Sequence, residues 1–99
     1  MNMRQALESL DGFDGEQTIY VRPGGPIDAE SEVVVDYYSD DGEPPASAAG
    51  MDYLLEVSLA RDALRVWSEW REGQSPSMEE QIDAIVYYAE NDAFQPAEN

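Results

Sequence analysis

The sequence predicts an α+β fold: a short three-stranded antiparallel sheet with helices packed on one face, in the order α-β-β-β-α-α. β-Branched and aromatic residues concentrate in three short runs before residue 58, which is typical of strands. Two later stretches carry apolar residues at helical spacing. The chain has 99 residues, of which 42% are hydrophobic. This size fits a single acidic domain over residues 1–99 with one modest core.

The first predicted element is a short amphipathic helix over residues 3–10. Its apolar positions have helical spacing and are Met3, Ala6, Leu7 and Leu10. Two Asp-Gly steps follow within residues 11–16. Because glycine and aspartate favour turns, we expect the helix to end there.

Three strands are predicted next. The first covers residues 17–22 and stops at the Pro-Gly-Gly-Pro loop of residues 23–26. The second covers residues 32–38, where Glu-Val-Val-Val-Asp-Tyr-Tyr is the strongest strand signal in the chain. The third lies within residues 51–57. Residues 39–50 are polar or small, so we expect this loop to be the most mobile segment.

Two helices close the chain. Ser58 is the expected N-cap of the first, Gly73 is its expected stop, and its buried face should be Ala60, Ala63, Leu64 and Trp67. The second helix begins with a capping box of Ser77 and Glu80. Its expected buried positions are Met78, Ile82, Ile85, Val86 and Ala89.

The net charge is the main anomaly of the composition. There are 22 acidic and 5 basic residues, for a formal net charge of -17 at pH 7, and the basic residues are Arg4, Arg22, Arg61, Arg65 and Arg71. Solubility is served by a net charge of roughly 2–8 in magnitude, so the excess needs another explanation. Direct binding of nucleic acid requires a basic patch, which these residues do not supply. We therefore expect a basic protein partner.

We predict no enzymatic activity, no cofactor and no metal. Histidine, cysteine and lysine are absent, which removes the commonest acid–base and nucleophilic groups. Carboxylate pairs are unavoidable by chance at this acidity. A calcium loop of EF-hand type fails in both registers, because Gly42 at its sixth position places Tyr37 and Ala48 at the ends. Gly15 there places Leu10 and Val21 at the ends.

The chain also has no apolar run near the roughly 20 residues of a membrane span, nor an N-terminal apolar stretch of signal-peptide length. We therefore expect no membrane partner and a cytoplasmic location.

The distribution of charge indicates a binding face. Between Arg22 and Arg61 there is no basic residue. A strand spaces alternate side chains roughly 6.6–6.8 Å apart, so it can hold a carboxylate row that imitates a phosphate backbone. Tyrosine is common among interface hot spots, and adjacent tyrosines of a strand face opposite ways. The predicted partner-binding residues are Asp28, Glu30, Glu32, Asp36, Tyr37, Tyr38, Asp40, Asp41 and Glu43.

The C-terminal half ends in Tyr87-Tyr88, then Asn91-Asp92-Ala93-Phe94. With the preceding strand and helix, this pattern resembles an uncharacterised family of small bacterial proteins, a domain of unknown function. The resemblance implies a stand-alone α+β domain and no known activity. We interpret Asn91 and Asp92 as a helix end, with Phe94 folding back onto the core.

Three functions are compatible with these features. The first is an inhibitor that imitates DNA and blocks the nucleic-acid-binding surface of an effector or nuclease, as a phage anti-CRISPR or anti-restriction protein does. The second is an immunity protein that neutralises a cognate bacterial toxin, most plausibly a nuclease. The third is a regulatory domain whose acidity reflects a high-salt habitat. The order of the strands and the oligomeric state are left open.

Overall fold

Six main elements follow one another in the predicted order in the computed structural model, which describes residues 1–97. They are α1 (Met3–Glu8), β1 (Thr18–Val21), β2 (Val33–Asp36), β3 (Asp52–Glu56), α2 (Val57–Glu69) and α3 (Met78–Asn91). The strands form one antiparallel sheet in the order β2-β1-β3. The α+β prediction with a three-stranded antiparallel sheet is thus confirmed.

One face of the sheet packs against the helices. Alternate strand residues Ile19, Val21, Val33 and Leu55 point into this core. The helices contribute Met3, Leu7, Val57, Ala60, Ile82 and Ile85. Each fully buried aliphatic side chain stabilises the fold by about 1.5–3 kcal/mol relative to its exposed state. This face therefore holds most of the hydrophobic core.

The other face carries Tyr20 and Val34, which pack with Met51 and Ala48. Ala48 belongs to a short 3₁₀ turn, Ala46–Ala48, and is fully buried. The predicted mobile loop over residues 39–50 therefore ends in an ordered turn that partly covers the sheet. Ala48 is small enough to pack against Tyr20, which the composition alone did not indicate.

The start of α2 differs from the prediction. The helix begins at Val57 with Glu56 as its N-cap, and neither Glu56 nor Ser58 supplies a side-chain cap. The N–H groups of Val57 and Ser58 instead donate to the carbonyls of Gln17 and Gly15, at 2.9 and 3.1 Å. Because this loop backbone satisfies the first free N–H groups of the helix, no capping side chain is needed.

The ends of the two long helices follow the sequence signals. Gly73 has a φ of 81° and donates its N–H to the Ser68 carbonyl at 2.8 Å. This hydrogen bond stops the helical winding of the chain after α2. The Ser77–Glu80 capping box opens α3, and Trp67 is buried as expected. On α3, however, Ala89 is exposed and Ala84 is buried in its place.

The C-terminal segment returns to the helices, as predicted. Asp92 ends α3 in the left-handed conformation. The Phe94 ring then lies 5.2 Å from the Tyr88 ring and 6.1 Å from the Trp70 ring. Arg71 fixes this return by donating to the Pro96 carbonyl at 3.0 Å, while its guanidinium lies over the Trp67 ring at 4.3 Å.

β2 is shorter than predicted and lies at an edge of the sheet. It ends at Asp36, because the Tyr37 N–H donates to the Asp36 carboxylate at 2.7 Å instead of to a strand. At its other end, the N-terminal chain runs alongside: Val33 donates to the Met1 carbonyl and Met3 to the Ser31 carbonyl. This pairing protects part of an edge that would otherwise expose backbone groups.

Candidate protein-binding surface

The predicted binding residues divide into two groups at opposite ends of β2. The start group precedes the strand and consists of Asp28, Glu30 and Glu32. The end group closes the strand and follows it, and consists of Asp36, Tyr37, Tyr38, Asp40, Asp41 and Glu43. The strand contributes a single carboxylate, that of Asp36. The expected row of carboxylates on alternate strand residues is therefore wrong, since valines fill those positions.

The start group is largely committed to contacts inside the chain. Glu30 pairs with Arg4 at 3.3 Å. Glu32 accepts from Arg22 Nε at 2.9 Å, and this contact lowers the pKa of the Glu32 carboxyl. Asp28 accepts the N–H of Glu30 at 2.9 Å and so shapes its own turn. The Glu30–Arg4 pair thus links the connection between β1 and β2 to α1, while the contacts of Glu32 and Asp28 lie within the connection itself.

All five arginines are engaged by their own chain. Besides the pairs of Arg4 and Arg22, Arg65 contacts Asp62 and Glu69 on the same helix. Arg61 donates to the carbonyls of Leu10 and Phe13 and lies 3.9 Å from Asp11. Arg71 holds the C-terminal return described above. The surface is therefore dominated by carboxylates, and no arginine side chain within residues 1–97 projects without a contact.

Asp36 is the best-positioned carboxylate of the end group. It is half-buried and accepts the Ser47 hydroxyl at 2.6 Å and the Tyr37 N–H at 2.7 Å. Those two hydrogen bonds, the Ser47 one first, lower the pKa of Asp36. The Ala46–Ala48 turn thus does two things: it buries Ala48 and it fixes a charged Asp36.

Tyr37 is exposed yet held in place. Its hydroxyl donates to the Asp14 carboxylate at 2.9 Å. This hydrogen bond raises the pKa of Tyr37. The pKa of Asp14 is lowered, first by the backbone N–H of Glu16 and then by Tyr37. Asp14 was not predicted as part of the surface, because it is 23 residues away from Tyr37.

Tyr38 lies on the sheet face away from the helices, where it joins Tyr20 and Tyr53 in what we call the tyrosine cluster. The Tyr38 ring centroid is 5.4 Å from that of Tyr53 and 6.1 Å from that of Tyr20. Tyr20 is fully buried, whereas Tyr38 and Tyr53 are each 44% exposed. Burial raises the pKa of Tyr20 and of Tyr53. The expectation that Tyr37 and Tyr38 lie in the strand and face opposite ways is wrong: β2 ends at Asp36, and both side chains are exposed.

The remaining acids of the end group are on the open loop. Asp40, Asp41 and Glu43 are all exposed. Asp41 accepts the Glu43 N–H at 3.1 Å, and Gly42 turns the chain at a φ of 80°. None of the three forms an ion pair in the described part of the chain. Their charge is directed to solvent.

The tyrosine cluster includes residues that the charge pattern did not indicate. Tyr53 pairs with Tyr20 in the β1–β3 register, and Thr18 pairs with both Asp36 and Glu56. Tyr53 and Glu56 lie within the predicted third strand, so their presence on this face depended on the strand order. Alternation along that strand indicates which of its residues share a face. The sequence does not give the register that places Tyr53 opposite Tyr20.

Among residues 1–97, no group of three or more carboxylates is placed to hold a metal ion. No helix in the same range is long and apolar enough to cross a membrane.

The fold and its surface define a small acidic α+β protein with a carboxylate-rich exterior. More particularly, the chain belongs to a family described as a domain of unknown function (DUF7716), which it matches over residues 1–96. No curated protein and no solved structure gives a significant match. The family covers the whole predicted domain, including the acidic middle and the C-terminal half.

Proposed function

We propose that the protein is an inhibitor that binds and blocks a basic, nucleic-acid-binding surface of a partner protein, and that it is not an enzyme. The observation that carries this proposal is the engagement of every arginine within the chain. With its cations occupied, the molecule presents an almost uniformly negative exterior. A basic surface is the electrostatic complement, and charge steers such partners together.

The end group is the best candidate for the contact. Its loop acids Asp40, Asp41 and Glu43 have no ion pair among residues 1–97, whereas Glu30 and Glu32 of the start group already have one each. DNA mimicry would therefore rest on loop carboxylates around one fixed charge, Asp36, and not on a strand-borne row. The partner would be a nuclease or a similar effector with a groove rich in lysine and arginine.

The proposal is tested by capture with a matched pair of variants. The protein, tagged at its C-terminus, is used as bait in an extract of its native cells at about 150 mM salt, where exposed charges still act over roughly 8 Å. The test variant is D36N/D40N/D41N/E43Q. We expect wild type to retain basic nucleic-acid-binding proteins that this variant loses. A retained protein should then release a labelled DNA duplex when the wild type is added.

The control variant is E8Q/E72Q/D83N/E90Q, which removes the same number of charges from exposed positions without an ion pair. It should capture the same proteins as wild type. Equal loss in both variants would mean that net charge alone matters, and equal capture by all three would exclude the end group. Either result, or capture of no basic protein, contradicts the proposal.

The immunity-protein alternative predicts a different pattern. A protein that protects its own cell from a toxin should bind one cognate toxin tightly, and a contact away from the active site would leave the toxin bound to DNA. Duplex displacement therefore separates the two. The high-salt alternative predicts no basic partner and a stability that rises steeply in molar salt.

The proposal also includes origin and location. We propose that the family is bacterial, that its C-terminal Tyr-Tyr and Asn-Asp-Ala-Phe pattern is a family signature, and that the protein works in the cytoplasm. The packing of Phe94 against Tyr88 and Trp70 gives this pattern a structural reason, because it fixes the last segment to α2 and α3.

A further inference from the structure

The sheet face away from the helices places two carboxylates on either side of one threonine. Thr18 on the central strand is opposite Asp36 on β2 and opposite Glu56 on β3. Neighbouring strands lie about 4.8 Å apart, so the backbones of Asp36 and Glu56 are about 10 Å apart across the sheet. Since cross-strand partners share a face, both carboxylates flank the same patch.

The tyrosine cluster occupies that patch. Tyr38 and Tyr53 are in contact, with an interplanar angle of 35°, and each leaves 44% of its surface exposed. Tyr20 meets both rings edge-on from below. An exposed pair of electron-rich rings flanked by carboxylates is an unfavourable place for an anion and a favourable one for a cation.

Two buried hydroxyls lie in the floor of the patch. Thr18 and Tyr20 have no exposed surface. Neither Thr18 Oγ1 nor Tyr20 Oη forms a hydrogen bond of regular geometry, although the Thr18 hydroxyl is close enough to that of Tyr20 to lower the pKa of Tyr20. Both belong to the residues opposite Asp36, Glu56 and Tyr53 in the sheet register. Unpartnered buried hydroxyls cost folding free energy and are often found at functional sites.

We propose that the tyrosine cluster, with Asp36 and Glu56, binds one arginine side chain of the basic partner. This inference rests on the proposed function and names the chemistry of its central contact. The planar guanidinium stacks on the exposed rings of Tyr38 and Tyr53, and its N–H groups donate to the flanking carboxylates. Arginine is favoured over lysine because a delocalised, weakly hydrated guanidinium stacks on aromatic rings and donates in several directions at once.

The carboxylates have capacity for this role. Asp36 already accepts two hydrogen bonds, from Ser47 and Tyr37, and an ionised carboxylate has about four acceptor positions. Glu56 is half-buried, and after burial itself its charge is the next cause that raises the pKa of Tyr53. Hydrogen bonds within the fold therefore hold Asp36 in place, and Glu56 lies near enough to Tyr53 to act on its hydroxyl electrostatically.

The groove between α1 and α3 is a weaker candidate. It also combines acids with apolar side chains, including Asp28, Glu79 and Met78. It contains Arg4, however, which pairs with Glu30 at the same place. Arg4 therefore already neutralises part of the negative charge of this groove. By contrast, no basic side chain of residues 1–97 forms an ion pair with Asp36 or Glu56 beside the tyrosine cluster.

The test uses isotope-labelled full-length protein and three small probes followed by NMR. The probes are the N-acetyl methylamides of arginine, lysine and citrulline, of which citrulline has nearly the shape of arginine without its charge. We expect arginine to shift the ring signals of Tyr38 and Tyr53 and the carboxyl signals of Asp36 and Glu56. Lysine should bind more weakly at the same signals, and citrulline should cause no saturable shift.

Matched variants locate the binding. Y38L/Y53L should weaken arginine binding about two- to fivefold. W70L, which removes a similarly exposed aromatic side chain that packs on Phe94 just after α2, should leave it unchanged. Y38F/Y53F keeps the ring faces and should retain binding. If Y38L/Y53L unfolds, D36N/E56Q provides the measurement and should show the same weakening.

The inference is overturned if citrulline binds like arginine, if W70L weakens binding as much as Y38L/Y53L, or if D36N/E56Q has no effect. These outcomes differ from failure of the proposed function. A protein that still captures a basic partner through the end group, but shows no arginine binding at the tyrosine cluster, keeps its function and loses only this contact. Absence of any basic partner removes the function itself.

Discussion

The two faces of the sheet are built from alternate residues of the same three strands, yet they differ in almost every physical respect. The helix-covered face carries Ile19, Val21, Val33 and Leu55, which are buried aliphatic side chains. The open face carries Thr18, Tyr20, Val34 and Tyr53, with Asp36 and Glu56 beside them. The first face has no polar side chain to satisfy. The second buries two hydroxyls that form no hydrogen bond of regular geometry.

This difference separates the face that stabilises the fold from the face proposed to bind a partner. The helix-covered face can supply the hydrophobic stabilisation because three helices remove it from water. The open face is covered only by the Ala46–Ala48 turn, Met51 and the tyrosines themselves. Asp36 and Glu56 lie beside this second face, where repulsion between carboxylates opposes folding and where a basic partner would relieve it.

The largest expected effect is on the helix-covered face. Ile85 is fully buried in its core, so I85A should lower the free energy of unfolding by about 2–5 kcal/mol through lost burial and a residual cavity. Y38A, on the open face, removes a larger but 44% exposed side chain and should cost less than half as much. Urea unfolding of both variants at pH 7 checks this. Equal losses would contradict the separation of the two faces.

The helix-covered face is also the part that the sequence predicts best. Helical spacing of Ala60, Ala63 and Trp67 identified the buried side of α2, and the Ser77–Glu80 box identified the start of α3. These signals are local, so they can be read without knowing the tertiary structure. The cap at Ser58 was wrong for the same reason: the carbonyls that replace it come from residues 15–17, a contact that no local pattern contains.

A second variant concerns the buried hydroxyl of the open face. Y20F removes Tyr20 Oη, which is buried and forms no hydrogen bond of regular geometry, and keeps the ring that meets Tyr38 and Tyr53. We expect the free energy of unfolding to stay the same or to rise by up to about 1 kcal/mol, because an unsatisfied polar group is removed. A fall in the free energy of unfolding, measured in urea, would show that the hydroxyl is hydrogen-bonded in solution.

The open face depended on information that the sequence does not hold. Tyr38 and Tyr53 come together because β3 lies beside β1, so that Tyr53 is opposite Tyr20, and because the chain leaves β2 at Asp36. The distribution of charge along the sequence predicted Asp36 and the loop acids as part of the surface. It could not show that Glu30 and Glu32 are neutralised by Arg4 and Arg22, since those arginines lie outside the acidic stretch in sequence and meet it only in space.

A third variant measures the repulsion at the loop. D40N/D41N/E43Q reduces the net charge from -17 to -14 without touching an ion pair of the described residues. Tm should rise by roughly 1–3 °C at low salt, and the gain should disappear at about 1 M salt, where the screening length is about 3 Å. Calorimetry at the two salt concentrations provides the measurement. A gain that survives high salt would indicate a cause other than charge repulsion.

The smallest effect lies at the hydrogen bond between Tyr37 and Asp14. Y37F should raise the pKa of Asp14 towards its ordinary value, but only in part, because the backbone N–H of Glu16 is the larger cause of the lowered pKa. Carbon NMR of the Asp14 carboxyl against pH measures this change. Y38F is the control: its ring belongs to the tyrosine cluster, so the pKa of Asp14 should not change.

The same hydrogen bond fixes how the stability of Y37F differs from wild type with pH. A lowered pKa of Asp14 stabilises the fold above the unfolded-state value of about 3.9, and this contribution is lost as pH falls through the folded-state pKa. A raised pKa of Tyr37 stabilises it below about pH 10 and is lost as pH rises through the folded-state pKa. The free energies of unfolding of wild type and Y37F should therefore differ most between about pH 5 and 9 and converge at both extremes. A difference that persists at about pH 2 would assign the effect of Tyr37 to ring packing instead of to its hydrogen bond with Asp14.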